Sequence, residues 1–177
     1  RREEKSGSKS IDPNRDYPGP CGSDSEFELQ STRALAEFVE REGVISSATL
    51  HTYFPAVVYP WGFTTKDLVT DHQREFEDLT EAAVQESRYS TGNSSEIIYP
   101  ANGTFEDYVF WKTGVWSLLF ELGYTHSPSL GQIEDMIRVN LPGLRALIEK
   151  APKSRAPKHQ FIGKCDDSLR ILDRRDE

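Results

Sequence analysis

Trp116-Ser117-Leu118-Leu119-Phe120-Glu121-Leu122 is a nearly continuous apolar run. A run of this length reads as a strand buried on both faces. On either side stand two helical patterns. Phe105–Lys112 is short, and residues 129–150 carry Ile133, Met136, Ile137, Leu141, Leu144, Leu147 and Ile148 at helical spacing. Further upstream, Ser47-Ala48-Thr49-Leu50-His51-Thr52-Tyr53 predicts a strand that ends in a loop, because Pro55 and Pro60 follow closely. A helix is predicted over residues 25–42, with Ser25 as N-cap and Phe27, Ala34, Leu35, Phe38 and Val39 along one face. A second helix is predicted over residues 67–88, and a short strand at Ser95–Tyr99. Alternating elements of this kind predict an α/β fold: a mixed, mostly parallel twisted sheet with helices on both faces. Ligands of such sheets gather at the carboxyl ends of the strands.

The ends differ from this middle. Residues 1–25 are rich in Ser, Gly, Pro and charge, and Asp12-Pro13-Asn14-Arg15-Asp16-Tyr17-Pro18-Gly19-Pro20 is expected to be non-helical. Residues 151–177 read as a tail, with Leu169–Leu172 as a short apolar piece. The expected organisation is therefore an N-terminal segment over 1–25, a body over 26–150 and a C-terminal tail.

The chain has 177 residues, 36% apolar and 28% charged, with a formal charge of −8. Its acid excess argues against a nucleic-acid partner, whose phosphates it would repel. No run approaches the roughly 18 apolar residues that a membrane span needs. The two cysteines, Cys21 and Cys165, fit either one disulfide or two free thiols.

Four features look out of place. Glu121 sits in an apolar strand, where it is half of a structural ion pair, a Glu at the strand mouth, or a base with a tuned pKa. His51 ends its strand. A lone histidine there is more often a hydrogen-bonded core residue than a ligand, and a catalytic zinc needs about three protein ligands. The chain has no H-E-x-x-H or H-x-H spacing to supply them. Asn14-Arg15 lies in a loop, and its donors suit a carboxylate unless the Arg is merely solvated. Tyr99 ends a predicted strand, a common packing position.

Together these residues resemble one pattern. Asp12-Pro13-Asn14-Arg15-Asp16-Tyr17-Pro18 is similar to the D-x-N-R-N/D segment of the carboxypeptidase A/B-like zinc metallocarboxypeptidases. Thr49-Leu50-His51-Thr52-Tyr53 followed by Tyr59-Pro60-Trp61-Gly62-Phe63 resembles that family's H-S-Y and Y-P-Y/W-G-Y strand and loop. Tyr99, Gly103-Thr104-Phe105-Glu106-Asp107-Tyr108 and Phe120-Glu121-Leu122 resemble its Y, G-S-x-D-W and F-E-L series. The gaps agree too: eight residues from Tyr99 to Asp107 and 22 from Tyr99 to Glu121.

The resemblance implies a zinc-dependent exopeptidase acting on peptide C-termini, with secretion the family habit and a monomer the default. It makes His51 a zinc ligand. Asn14 and Arg15 would hold the substrate's terminal carboxylate, Tyr99 would donate a hydrogen bond from a mobile loop, and Glu121 would be the general base. Glu106, just before the family's Asp, would lie at the side-chain pocket floor. An acid there implies a basic or amine-bearing C-terminal residue, unless Glu106 turns outward. The family places its H-x-x-E ligands and the Arg that polarises the scissile carbonyl upstream of the Asn-Arg segment, and no H-x-x-E stands ahead of Asn14 here. A complete peptidase of which this is a part is expected; the alternatives are a non-catalytic module that binds peptide C-termini and an inactive fragment.

Overall fold

The computed structural model describes residues 4–7, 9–21 and 27–166. The expected Ser25 cap and the Leu169–Leu172 piece lie outside them. In chain order the elements are β1 (Glu4–Ser6), β2 (Lys9–Ile11), α1 (Gln30–Arg41), β3 (Ser46–His51), β4 (Ala56–Tyr59), α2 (Gln73–Ala83), β5 (Ser90–Asn93), α3 (Ser94–Ile97), α4 (Phe105–Thr113), β6 (Trp116–Glu121) and α5 (Leu130–Lys150).

The apolar run becomes β6, an inner strand of a four-stranded sheet in the order β3-β6-β4-β5. Pairing is parallel for β3 with β6 and for β4 with β5, and antiparallel for β4 with β6. This is the mixed, mostly parallel sheet that the sequence predicts. Alternation along the strands divides the side chains between two faces. Val57, Tyr59, Leu118 and Phe120 meet Phe76 and Leu79 of α2 and Leu147 of α5. Ala56, Val58 and Leu119 face the other way, against Ile97 and Ile98. Phe120 and Leu118 are fully buried, each worth about 2–3 kcal/mol against exposure.

Several expectations need correction. The strand expected at Ser95–Tyr99 is instead the short helix α3, and the strand lies just before it at β5. Ser90-Thr91-Gly92-Asn93 carries no apolar alternation, and pairing with β4 alone makes it a strand. β4 itself falls between Pro55 and Pro60, which had suggested only loop. The helix expected over 67–88 is shorter at both ends, because Thr70 accepts from the His72 amide in a turn before it. Asp12–Pro20 does contain a 3₁₀ turn, Pro13–Arg15. Proline suits its first position, and Asp12 Oδ1 caps it by accepting from the Asn14 amide at 3.0 Å. The N-terminal segment also holds the β1–β2 hairpin.

Two helices turn a different face inward than expected. In α1 the buried residues are Thr32, Ala36 and Val39, while Leu35 and Phe38 are exposed. Asp16 sets this rotation, accepting from the Glu28 and Leu29 amides and from the Thr32 hydroxyl just ahead of and within the first turn. In α5 the buried residues are Asn140, Gly143 and Leu147, while Ile133, Ile137, Leu141 and Ile148 are exposed. A Cβ on Gly143 would stand 2.1 Å from the Ala83 carbonyl oxygen, so the small-residue face is the one that meets α2.

Cys21 and Cys165 form a disulfide with a Cα–Cα distance of 5.5 Å. It pins the end of the tail, whose Ala151, Ala156 and Phe161 join the main core. Among the described residues no helix is long and apolar enough to cross a membrane.

Candidate active site

The parallel pairing of β3 and β6 sets His51 beside Glu121 at the carboxyl ends of both strands. The Leu122 amide donates to the His51 carbonyl at 2.8 Å, which extends the pairing one residue further. A cavity of about 650 Å³ opens over this edge, lined by Asn14, Arg15, Thr49, His51, Tyr99 and Glu121 among others. Five of the six residues expected in the site thus share one cavity. Glu106 does not line it, but lies behind Thr49, 4% exposed, and so does not turn outward.

Three strips of chain are tied together around the cavity. The Asn14 Oδ1 accepts from the Phe105 amide at 2.8 Å. That bond fixes the side-chain amide, leaving Nδ2 as the end available to an anion. Arg15 Nη1 donates to the Asn14 carbonyl at 2.5 Å, and Nη2 donates to the Tyr99 hydroxyl at 3.0 Å. The guanidinium carbon lies 5.8 Å from the Tyr99 ring centroid. Tyr17 donates its amide to the Gly103 carbonyl at 3.2 Å. At Gly103 φ is +75°, and a Cβ would stand 2.4 Å from the Arg15 carbonyl oxygen, so this close crossing requires glycine.

Glu121 is half-buried, and its Oε2 is buried with no hydrogen-bond donor among the described residues. Burial pushes its carboxyl above the usual range and Glu106 adds to this, while the His51 and His126 rings pull the other way. No ion pair to Glu121 forms among the described residues. Thr49 donates its hydroxyl to Glu106 Oε1. Neither Thr49 nor His126, which stacks edge-on against Tyr53 at 4.4 Å, was singled out from sequence. For Thr49 a signal existed: two residues before His51, it must share that residue's sheet face.

Asp107, next to Glu106, is fully buried and accepts from the Gly62 amide with both oxygens at 3.0 Å. Burial, partly offset by this bond, raises its pKa from 3.8 to about 7. Between those values the folded chain keeps a proton that the unfolded chain has released, so Asp107 makes stability fall as pH rises from about 4 to 7. Glu121, shifted the same way, adds to the trend. Asp166, whose pKa is lowered by its bonds from Thr65, acts below that window, where it makes stability rise with pH. Asp107→Asn should flatten the loss, measured as urea midpoints from pH 4.5 to 7.5; an unchanged slope contradicts the assignment.

His51 is the residue expected to ligate zinc, and His126 lines the same cavity. Among the described residues no group of three His, Cys, Asp or Glu could hold a metal ion. A catalytic zinc takes about three protein ligands, so these residues by themselves do not fit one.

The α/β sheet thus brings Asn14, Arg15, Tyr99, His51 and the unpartnered Glu121 carboxylate to one cavity at its edge. The sequence profile of a family described as zinc carboxypeptidase matches residues 1–143. The chain belongs to the zinc carboxypeptidase family. It is 30% identical over 110 residues to carboxypeptidase B of Canis lupus familiaris, covering 58% of this chain and 26% of that protein. It is 31% identical over 133 residues to carboxypeptidase B of Astacus astacus, covering 62% and 43%. The chain thus spans about a quarter of the length of the mammalian relative. The fold is similar to that of bovine thrombin-activatable fibrinolysis inhibitor, solved in complex with tick carboxypeptidase inhibitor. There the TM-score is 0.70 at 20% identity, over 84% of this chain and 59% of that one.

Proposed function

We propose that this chain supplies the substrate-gripping part of a zinc-dependent exopeptidase that removes a basic or amine-bearing residue from peptide or protein C-termini. The observation that carries this is the shared cavity of Asn14, Arg15, Tyr99, His51 and Glu121. Arg15 and the Nδ2 end of Asn14 take the terminal carboxylate, which sets the register of the scissile bond. Tyr99, 55% exposed on its loop and already touching Arg15, donates its hydroxyl to the bound substrate.

Glu121 accepts a proton from water as the water oxygen bonds to the scissile carbonyl carbon. It passes that proton to the leaving nitrogen as the C–N bond breaks, releasing the shortened peptide and one amino acid. Zinc is the family's cofactor, and His51 is this chain's contribution to its ligands. Glu106, behind the Thr49 wall, is the pocket's selecting charge, acting through its field, which also reaches Glu121. The Cys21–Cys165 bridge supports an oxidising, extracytoplasmic setting. A membrane or nucleic-acid partner has no support in the acidic surface.

The test is binding and hydrolysis of peptides ending in Lys and in Phe. The Lys peptide should bind about tenfold more tightly, an advantage that Glu106→Gln removes. Equal affinity, or a Phe preference, overturns the selectivity. In a protein that also supplies the remaining zinc ligands, Glu121→Gln should retain binding and abolish hydrolysis; retained hydrolysis refutes Glu121 as base.

A further inference from the structure

Two Asn-x-Ser/Thr triplets stand in the chain, Asn93-Ser94-Ser95 and Asn102-Gly103-Thr104. Such a triplet is the acceptor for an N-linked glycan in a secreted protein, and the Cys21–Cys165 bridge supports that setting. The fold treats the two triplets differently. Asn93 is 4% exposed, and its Nδ2 donates to the Pro60 carbonyl at 3.0 Å and to the Leu68 carbonyl at 3.2 Å. Ser95 is buried too and donates to the Trp61 carbonyl at 3.1 Å. A sugar on Asn93 would take one of those Nδ2 protons and stand inside the core, so a chain modified there cannot close this fold.

Asn102 is the opposite case. It is only half-buried, and its Oδ1 accepts from the Gly103 amide at 3.0 Å. That bond fixes the side-chain amide and leaves Nδ2 with no acceptor among the described residues. The backbone on either side is tied down. The Ala101 amide donates to the Gly62 carbonyl at 2.8 Å, and the Gly103 carbonyl accepts from the Tyr17 amide at 3.2 Å. Thr104, which completes the triplet, is 7% exposed with its hydroxyl bonded to Asp107, so glycan transfer must precede folding. Tyr99, Ala101 and Thr104 line the site cavity, which places Asn102 at its rim.

We propose that Asn102 carries an N-linked glycan that screens the cavity, admitting slender peptide ends while holding off folded proteins. In the transfer, Nδ2 attacks C1 of a lipid-linked oligosaccharyl diphosphate. The N–C1 bond forms as the C1–O bond breaks, Nδ2 gives up one proton to a base, and the lipid diphosphate leaves. The linked sugar is bulky and hydrated, and it departs from a fixed point three residues after Tyr99. A steric barrier of this kind rejects wide ligands without adding any contact to narrow ones. The screening, unlike the glycan itself, rests on the reading that the cavity takes peptide C-termini.

The experiment secretes the 177-residue chain from a eukaryotic cell line and reads its intact mass before and after peptide-N-glycosidase. A single glycan should be released, and Asn102→Gln should lack it. Release converts the carrying Asn to Asp, and peptide mapping should place that conversion at position 102 and not at 93. No mass shift, or conversion at position 93, overturns the proposal. The glycosylated and released forms are then titrated with a short peptide ending in lysine and with a folded protein ending in the same residues. Both forms should bind the short peptide alike, and the glycosylated form should bind the folded protein about tenfold more weakly. Equal binding of the folded protein by the two forms overturns the screening. If neither form binds the short peptide, the reading of the cavity fails and the screening with it, while the mass still decides the glycan.

Discussion

Arg15→Ala should weaken binding of a peptide with a free C-terminal carboxylate by about 30-fold or more, the usual cost of removing one partner of a desolvated charge pair. The guanidinium is already aimed. Nη1 is anchored to the Asn14 carbonyl and Nη2 to the Tyr99 hydroxyl, so little side-chain freedom remains to be lost when a ligand binds. Arg15→Lys keeps the charge and loses the fork, and should recover only part of the affinity. Stability should change little, because Arg15 is only partly buried and its hydrogen bonds lie near the surface. Unaltered affinity in Arg15→Ala, with the fold intact by circular dichroism, contradicts the proposed grip.

The second large effect concerns the disulfide. Cys21 and Cys165 are 144 residues apart, and the chain-entropy estimate for a loop of that size is about 5 kcal/mol. That is comparable with the whole stability of many domains. The bridge joins the segment just after the Asn14–Arg15 turn to the tail that packs beside Trp61 and Phe110. Reduction, or replacement of both cysteines by alanine, should lower the urea midpoint sharply and loosen the site along with the fold. A shift worth less than about 1 kcal/mol would mean that the tail is held by its packing alone.

The sheet was legible where apolar content carried the signal. β6, α4 and the extent of α5 follow from long periodic or continuous runs, which burial dictates whatever the neighbours. β4 was not legible because its flanking prolines read as loop. β5 was not because Ser-Thr-Gly-Asn becomes a strand only through its partner. The inward faces of α1 and α5 were misread for a related reason. Close approach at Gly143 and the Asp16 grip on Thr32 decide which side turns inward, and hydrophobicity counts neither. Five site residues came from motif spacing and do converge on one cavity. The placement of Glu106 behind Thr49 needed the register of β3 against β6 and the position of α4, which spacing along one chain does not contain.

The most direct measurement compares one peptide in two forms, ending in lysine with a free carboxylate or with a carboxamide, titrated into the 177-residue chain. Saturable binding of the acid, at least about tenfold tighter than the amide, is the expected result, because the amide removes the charge that Arg15 and Asn14 are arranged to hold. Equal binding of the two forms, or none of either, would contradict the claim that this cavity grips peptide C-termini.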